Sequence, residues 1–422
     1  MARVRSRTTF YRQLRVVTFA AAVFVPLLTL WVLLISDEAV VPLQQRPDAQ
    51  AIYAAQDAIR QVRQVQGAAV TGKQVRLDNR MLQGLATLAA DASGLRRVTA
   101  GVVDGTFKAA ASVPLPAGLW INASVAVTGE HEGFPDVYLR AGSVSLPPRA
   151  ARWAAEAARW ALNTRGAQLP PLDEVIARVA VGQQDLVAGL HLPAKTGVID
   201  SVVEAGGAAV DIQIAARVYC RLTTRSKEAP DARLASQVRH AFSEAPTFGT
   251  EGYNRAAFVG LALFVVGAPA EVLAPSVRPL LRTCGRPRGG ILLSNRADLA
   301  MHWTLSAALG AVLGDKAAVA VGEWKELSDS LPSGSGFSFM DLAADRSGLH
   351  TARRAVDPKI AGETARELAG VMEEQIFPVA LSAAQEGLSE QQFIARFGTV
   401  ETAQYQEMVS WIDRESDRVR SR

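Results

Sequence analysis

The sequence lacks the short motifs that identify many enzymes. Its 422 residues contain no H-E-x-x-H, G-x-S-x-G or C-x-x-C pattern. The formal net charge is only +4, and no run of lysine and arginine alternates with aromatic residues. These absences exclude the enzyme classes that such motifs define, and they indicate that the protein has no nucleic-acid partner.

Cysteine is nearly absent, since only Cys220 and Cys284 occur. An even pair of cysteines favours a disulfide in an oxidising compartment. Such a bridge would close a loop of 64 residues and stabilise the fold by about 4 kcal/mol. The alternative is a pair of buried thiols, and the sequence leaves both interpretations open.

Long apolar runs are also rare, but one lies near the N-terminus. Residues 16–35 contain no charged side chain and would span about 30 Å as a helix, which matches the hydrocarbon core of a bilayer. Arginines precede this run and acidic residues follow it, which predicts an uncleaved signal anchor with a cytoplasmic N-terminus. The alanine- and arginine-rich composition indicates a bacterial protein. We therefore expect a single-pass inner-membrane protein that contacts the membrane through residues 16–35 and whose main part is periplasmic.

The rest of the sequence predicts an α+β fold class, with a small antiparallel-sheet domain followed by a larger all-α domain. Short segments rich in valine, threonine and aromatic residues extend to about residue 195, and helical periodicity dominates thereafter. The predicted organisation is a basic cytoplasmic tail (1–15), a transmembrane helix (16–35), a helical stalk (36–70), an α+β domain (71–195), an all-α domain (196–415) and a charged tail (416–422).

The same patterns predict individual elements of the α+β domain. Asp78 is suited to cap a helix that runs to residue 90. Asp104 and Gly105 fit a tight hairpin turn, because glycine readily adopts a positive φ. Strands are expected at residues 98–103, 106–113, 119–127, 136–144 and 185–192, and further helices at 150–162 and 173–180.

The candidate functional residues lie in the segment 295–348. There, ionisable side chains occur among alanine, leucine and glycine residues whose pattern is typical of buried helices. A buried ionised group costs several kcal/mol unless it is paired, so such a cluster is either a satisfied network or a functional site. The candidate cluster consists of Asp298, His302, Glu323, Lys325, Glu326, Asp329, Asp341, Asp345 and Arg346.

Helical spacing relates some of these residues to one another. Asp298 and His302 are four residues apart, so they fall on one face of a helix. Ser338 and Asp341 fit a capping box, which gives Asp341 a sufficient structural role. Asp345 has no such explanation and is surrounded by small residues that let another helix approach.

Three carboxylates form an acidic stripe on the next predicted helix, since Glu323, Glu326 and Asp329 recur every three residues. Like charges at this spacing repel, so the stripe requires a counter-charge. The available counter-charges are Lys325, Arg346, a protonated His302 and a bound cation.

The order and spacing of these residues resemble the YfiM-type bacterial envelope lipoproteins. The shared pattern is Asp298-x3-His302, Ser306-Ala-Ala, Gly322-x2-Lys325-Glu326-x2-Asp329 and Gly336-Phe-Ser338-x2-Asp341-x3-Asp345-x2-Gly348. The resemblance is limited to residues 295–348, and it implies a cell-envelope location without a particular activity. The chain departs from it in the predicted membrane helix, because those proteins look lipid-modified.

Three functions agree with these patterns. The first is a non-enzymatic envelope protein with a structural or interaction role, in which the cluster holds three helices together. The second is a metal-dependent hydrolase that acts on a cell-envelope component and binds a divalent cation, Mg²⁺, Mn²⁺ or Zn²⁺. Its expected ligands are His302, Glu326, Asp329 and Asp345.

The third function is binding of lipid or another hydrophobic ligand by the α+β domain, whose predicted strands carry Trp120 and Tyr138. Under these hypotheses the expected partners are envelope proteins or lipid.

Overall fold

The computed structural model of the protein describes residues 31–65, 74–164, 169–191, 207–245, 249–332 and 334–418. Residues 31–191 carry two small antiparallel sheets and are called the sheet unit below. Residues 207–418 are called the helical unit, because among its described residues β-pairing is limited to isolated bridges. The expected combination of a small antiparallel-sheet part and a larger helical part is therefore present.

The described residues do not contain the predicted transmembrane helix. No helix among the residues that the structure describes is long and apolar enough to cross a membrane. The predicted tail (1–15) and residues 16–30 of the span lie outside the described residues, while Ile35 belongs to strand β1 (Ile35–Ser36), which pairs with Trp120 and Ile121. Because sheet-paired backbone cannot continue a helix, Ile35 is not helical as predicted. These findings correct the prediction of a single-pass, signal-anchored inner-membrane protein with a periplasmic main part.

Two antiparallel sheets form the sheet unit. The larger has the strand order β3, β4, β5, β7, β8, with β1 also beside β5, and the smaller has the order β2, β10, β9, β6. The strands are β2 (Gln74–Asp78), β3 (Val98–Val103), β4 (Thr106–Pro114), β5 (Trp120–Thr128), β6 (Glu130–Glu132), β7 (Tyr138–Ala141), β8 (Val144–Leu146), β9 (Ile176–Val181) and β10 (Asp185–Leu190).

The strand predictions are largely confirmed. β3 and β4 meet at a tight turn in which Asp104 and Gly105 have φ of 50° and 67°. The segment expected as one strand at 136–144 is divided into β7 and β8 by a turn at Gly142. The prediction of a helix at 173–180 is wrong. The helix there ends at Val175, and the following residues, which are rich in β-branched side chains, form β9 between β10 and β6.

The sheet unit also contains helices α1 (Ala49–Val65), α2 (Asn79–Ser93), α3 (Pro148–Asn163) and α4 (Leu172–Val175). Asp78 caps α2 as expected, since its carboxylate accepts a hydrogen bond from the Met81 amide at 2.9 Å. α1 occupies the segment expected to be a stalk, but it packs against α2 and buries Ile52 and Ala55 completely. Gly84 permits this contact, because a Cβ there would lie 2.6 Å from the carbonyl oxygen of Ala51.

Helices make up the helical unit. They are α5 (Ile212–Glu228), α6 (Leu234–Ala241), α7 (Glu251–Val265), α8 (Arg278–Leu281), α9 (Ala297–Leu313), α10 (Asp315–Asp329), α11 (Phe339–Ala355), α12 (Ala361–Ala369), α13 (Glu373–Ile376), α14 (Glu390–Phe397) and α15 (Ala403–Arg418). The boundary expected near residue 196 lies outside the described residues. The segment expected as a charged tail (416–422) begins inside α15, where Ser416 is buried against Ser347.

The core of the helical unit is centred on α9, which packs against α7, α10 and α11. Close contact between α9 and α11 requires Gly348, because a Cβ at this position would collide with the carbonyl oxygen of Trp303. Helix α10 packs against α9 and α11 and also contacts α1 and α2 of the sheet unit. Buried residues of α1 and α2 accordingly belong to the same apolar core as the helical unit.

Cys220 and Cys284 form a disulfide, so the first of the two cysteine interpretations applies. Their Cα atoms are 5.2 Å apart, within the usual range for a bridge. The bridge joins α5 to the segment that follows α8.

Candidate functional site

The site is built from three helices that carry deeply buried ionisable residues. His302 on α9 is 8% exposed, Glu326 on α10 is 0% exposed and Asp345 on α11 is 6% exposed. Such groups need partners, because burial of an unpaired charge is strongly unfavourable. These three residues and the side chains that pair with them are called the His302 cluster, which consists of His302, Ser306, Lys325, Glu326, Asp329, Asp341 and Asp345.

His302 lies between two carboxylates of α11. Its Nδ1 is 3.0 Å from Oδ1 of Asp345, and its Nε2 is 3.4 Å from Oδ2 of Asp341. Ser306, one turn along α9, donates a hydrogen bond of 2.7 Å to the same Asp345 oxygen. Burial lowers the pKa of His302, but the charge and hydrogen bond of Asp345 outweigh it and raise this pKa to about 9. The imidazole is therefore protonated at neutral pH.

Lys325 is the counter-charge for Glu326 and Asp329, two of the three carboxylates of the acidic stripe. Its Nζ lies 2.8 Å from Oε1 of Glu326, 2.8 Å from Oδ2 of Asp329 and 3.7 Å from Oδ2 of Asp341. Burial lowers the pKa of Lys325, but these carboxylates outweigh it and hold the pKa above its ordinary value. For Glu326, burial dominates over the attraction of Lys325 and raises the pKa of the carboxyl to about 7.

Glu326 also completes the N-terminal cap of a neighbouring helix. Ser338 caps α11 by accepting a hydrogen bond from the Asp341 amide at 3.0 Å, as the capping pattern predicts. In a capping box the Asp341 carboxylate would accept the Ser338 amide. Here Oε2 of Glu326 accepts that amide at 3.0 Å. The carboxylate of α10 thus fixes the beginning of α11 and releases Asp341 to face His302.

Two buried carboxylate oxygens of the His302 cluster accept no hydrogen bond, namely Oδ1 of Asp341 and Oδ2 of Asp345. Oδ1 of Asp341 has a guanidinium nitrogen of Arg296 at 3.5 Å. Oδ2 of Asp345 faces Gly322 of α10, where a Cβ would lie only 2.9 Å from it. Glycine at 322 therefore makes room for the Asp345 carboxylate.

A subset of the cluster brings three potential metal ligands close together. One ligand atom each from His302, Glu326 and Asp345 lies within 4.8 Å of the other two. Asp329, the fourth ligand expected from the sequence, is not part of this group and instead binds Lys325. The expected set of four ligands is thus reduced to three.

Asp298 does not join His302, although the two share a helix face. Its carboxylate binds the guanidinium of Arg296, which also contacts Glu386. The hydrogen bond from Arg296 lowers the pKa of Asp298. Asp298 therefore belongs to a more exposed ion-pair group at the edge of the His302 cluster.

Glu323 turns toward the sheet unit, away from the rest of the acidic stripe. Its carboxylate binds the guanidinium of Arg46 and accepts a hydrogen bond of 3.1 Å from the Tyr405 hydroxyl. Asp91 accepts one from Nε of Arg46 at 3.1 Å and one from Nε1 of Trp324 at 3.0 Å. Burial raises the pKa of Glu323, and Arg46 opposes this effect. These five residues are called the Glu323 network.

Arg346 is likewise separate from the His302 cluster. Its guanidinium forms two hydrogen bonds of 2.6 Å with the Asp413 carboxylate, which lies on α15. His350 contacts the same carboxylate at 3.2 Å. The nine candidate residues therefore divide into one central cluster and separate groups around Asp298, Glu323 and Arg346.

Sequence reasoning missed the partners that lie far away in the chain. Arg46 and Tyr405 bind Glu323 from positions 277 and 82 residues away, and Asp413 binds Arg346 from 67 residues away. No local spacing connects these pairs. The only available signal was the excess of carboxylates in the acidic stripe, which demands cations without saying where they are.

No protein-family model, curated protein or solved structure matches the chain. The resemblance of residues 295–348 to the YfiM-type lipoproteins therefore stays a prediction, and the arguments below rest on geometry alone.

Proposed function

We propose that the protein has a structural or interaction role, in which buried ionic networks fix the positions of its helices and join its two units. One observation carries the proposal: the chemically active side chains of the His302 cluster are buried, and their partners lie on neighbouring helices. His302 of α9 binds Asp345 of α11, and Glu326 of α10 accepts a hydrogen bond from the amide of Ser338, the N-cap residue of α11. A cluster of this kind locks three helices in one arrangement.

The burial of the same groups argues against catalysis by them. A general acid or base must reach the substrate proton directly or through one water molecule. His302, Glu326 and Asp345 are at most 8% exposed, and both nitrogens of His302 already face carboxylates. Lys325 is the most accessible member, and its ammonium is held by Glu326 and Asp329. We therefore rank the hydrolase hypothesis below the structural role and do not develop it further.

Helix α10 extends this role from three helices to the whole molecule. Glu326 faces α11, whereas Glu323 and Trp324 contact Arg46 and Asp91 of the sheet unit. Arg96 of the sheet unit additionally pairs with Glu401 of the helical unit. The two units are thus joined by ionic contacts as well as by their shared apolar core.

A double-mutant cycle tests the proposal. Urea unfolding is measured in excess chelator for the wild type, His302→Gln, Asp345→Asn and the double variant. A structural network predicts a coupling energy of about 1–3 kcal/mol between the two sites, because each side chain is the other's closest charged partner.

The matched control combines Asp345→Asn with Asp78→Ala, which removes the cap of α2 in the sheet unit. These two changes share no partner and should be additive. Additivity of His302→Gln and Asp345→Asn as well would refute the structural role of the cluster.

A second candidate function is the binding of an apolar, fatty-acid-like ligand by the sheet unit. Trp153 and Trp160 of α3 are 74% and 67% exposed, and a separation of seven residues places them on one helix face. Helix α3 packs against β7, which carries the exposed Tyr138. Exposed aromatic groups of this size favour an apolar partner. Trp120 is not part of this surface, since it is half-buried and stacks against Arg97.

Titration with oleate tests this second function. Binding should shift the tryptophan fluorescence of the wild type to shorter wavelength, and the Trp153→Ser/Trp160→Ser variant should lose at least tenfold in affinity. Tyr53→Ser removes an exposed aromatic ring from α1 and is the matched control. Equal affinity of all three proteins would exclude α3 as the binding surface.

A further inference from the structure

We propose that the His302 cluster binds one divalent cation that accepts both nitrogen and oxygen ligands, Mn²⁺ or Zn²⁺, through His302, Glu326 and Asp345. The inference deepens the proposed function and rests on it, because the cation would complete a structural network rather than activate a substrate. Imidazole and carboxylate together suit these ions, whereas a site for Ca²⁺ would consist of oxygen ligands.

The first observation is convergence. The three residues come from α9, α10 and α11, and their ligand atoms lie within 4.8 Å of one another. Ligands around a bound Mn²⁺ or Zn²⁺ are about 3 Å apart, because each lies about 2.1 Å from the ion. A cation would therefore draw the three helices slightly closer together.

The second observation is the unsatisfied oxygen of Asp345. Oδ1 of this carboxylate is occupied by His302 and Ser306, whereas Oδ2 is buried and accepts no hydrogen bond. The Asp345 side chain is 8% exposed, so solvent satisfies little of it. A buried charged oxygen without a partner costs several kcal/mol, and a cation is the partner that removes this cost. Oδ2 is thus the ligand atom that Asp345 has available.

The third observation is the charge balance. The cluster contains four carboxylates, at residues 326, 329, 341 and 345, but only two cationic groups, Lys325 and His302. Arg296, which approaches Asp341, is already bound to Asp298 and Glu386. A divalent cation in place of one imidazolium proton would reduce this excess of two negative charges to one.

The remaining hydrogen bonds of the cluster are compatible with a bound ion. Each carboxylate oxygen has two lone pairs, so Glu326 can keep its contacts with Lys325 and the Ser338 amide while it binds the ion. A ligating imidazole is neutral, so the cation takes the place of one imidazolium proton. The other ring nitrogen still donates to a carboxylate, which is the usual arrangement around metal-bound histidine.

The experiment uses the full chain after removal of metals with chelator. MnCl2 and ZnCl2 are titrated separately by calorimetry, and the melting temperature is measured with and without each ion. We expect one ion per chain and a rise in melting temperature of ~3 °C at a free ion concentration of about 100 times Kd. Absence of both effects at millimolar ion concentration overturns the proposal.

Two variants locate the ion. Asp345→Asn and Glu326→Gln should each lower the affinity at least tenfold. Glu323→Gln is the matched control, because Glu323 is also buried on α10 but belongs to the Glu323 network. Wild-type affinity in both Asp345→Asn and Glu326→Gln would show that the ion binds elsewhere, and thus overturn the assignment.

A measurement on the wild type alone covers the case in which these variants do not fold. The electron spin echo of bound Mn²⁺ should show modulation by a nitrogen nucleus, as an imidazole ligand produces. A bound ion without this modulation has no histidine ligand and contradicts the proposal. The double-mutant cycle described above is measured in chelator, so failure of the cation site leaves the structural network intact as a separate result.

Discussion

Two polar networks that include residues of helix α10 differ in how their buried carboxylates are paired. In the Glu323 network every oxygen of the two carboxylates has a donor: Glu323 binds Arg46 and Tyr405, and Asp91 binds Arg46 and Trp324. In the His302 cluster, Asp341 and Asp345 each keep one buried oxygen without a hydrogen bond. Both networks are buried, but only the first is satisfied by the protein itself.

The difference shows which of the two networks is a candidate for binding a ligand. Burial and a raised carboxyl pKa are common to Glu323 and Glu326, so neither property separates a structural network from a site. The unpaired oxygens of Asp341 and Asp345 do separate the two networks, because folding removes water from these atoms without replacing it by a protein donor.

The largest expected effect comes from removing the protonated imidazole at the centre of the His302 cluster. His302→Ala leaves Asp341 and Asp345 buried without their shared partner, so the free energy of unfolding should fall by about 3–5 kcal/mol. Urea unfolding at neutral pH in chelator provides the measurement. His240→Ala, at a half-buried histidine of α6, should change it by less than about 0.5 kcal/mol. Similar losses in the two variants would mean that the cluster contributes no special stability.

A second test uses pH, because the pKa of His302 is raised to about 9 from its ordinary value of 6.5. The folded state then binds this proton more tightly than the unfolded state. The resulting stability is fully present below pH ~6.5 and is lost as pH rises through about 9, with a total of about 3 kcal/mol. His302→Gln should flatten the stability profile in this window, whereas Glu323→Gln should leave it unchanged. A flat wild-type profile would contradict the charged imidazole.

The Glu323 network should respond less strongly to the loss of its own cation. Arg46→Met removes the guanidinium from Glu323 and Asp91, but Tyr405 and Trp324 remain as donors. We expect a loss of about 2–3 kcal/mol in the free energy of unfolding. Arg60→Met removes an exposed pair with Asp57 and should cost less than about 1 kcal/mol. A loss as large as that of His302→Ala would remove the distinction between the networks.

The smallest effect distinguishes two helical glycines. Gly322→Ala places a methyl group 2.9 Å from Oδ2 of Asp345 and should destabilise the protein by about 1–2 kcal/mol. At Gly252 of α7 the nearest atom would be 4.0 Å away, so Gly252→Ala should stabilise it by about 0.5 kcal/mol through higher helix propensity. Thermal unfolding compares the two. Changes of the same sign would show that the space at Gly322 is not reserved for the carboxylate.

Local patterns predicted local structure well. The Asp104-Gly105 turn, the Asp78 cap and the Ser338 cap were readable because each depends on neighbouring residues. The same reasoning failed at residues 16–35, where hydropathy predicted a membrane helix that the described residues do not contain, and at 176–181, where sheet pairing overrides helical spacing.

The candidate site was predictable only in part. The sequence identified His302, Glu326 and Asp345 as residues that need partners, and the structure brings these three together. Helical spacing alone added Asp329 to the metal ligands and Asp298 to the cluster, because it cannot tell that Lys325 and Arg296 bind them. The contacts of Glu323 and Arg346 depend on tertiary packing, so no local pattern indicated them.

The contact between Arg46 and Glu323 also bears on how the chain folds. It joins residues 277 positions apart, so it forms only after a very large loop has closed. Contacts of such high sequence separation slow folding, and they form once the intervening segments have their own structure. A nascent chain therefore exposes the Glu323 side of α10 until the N-terminal segment, synthesised first, returns to cover it.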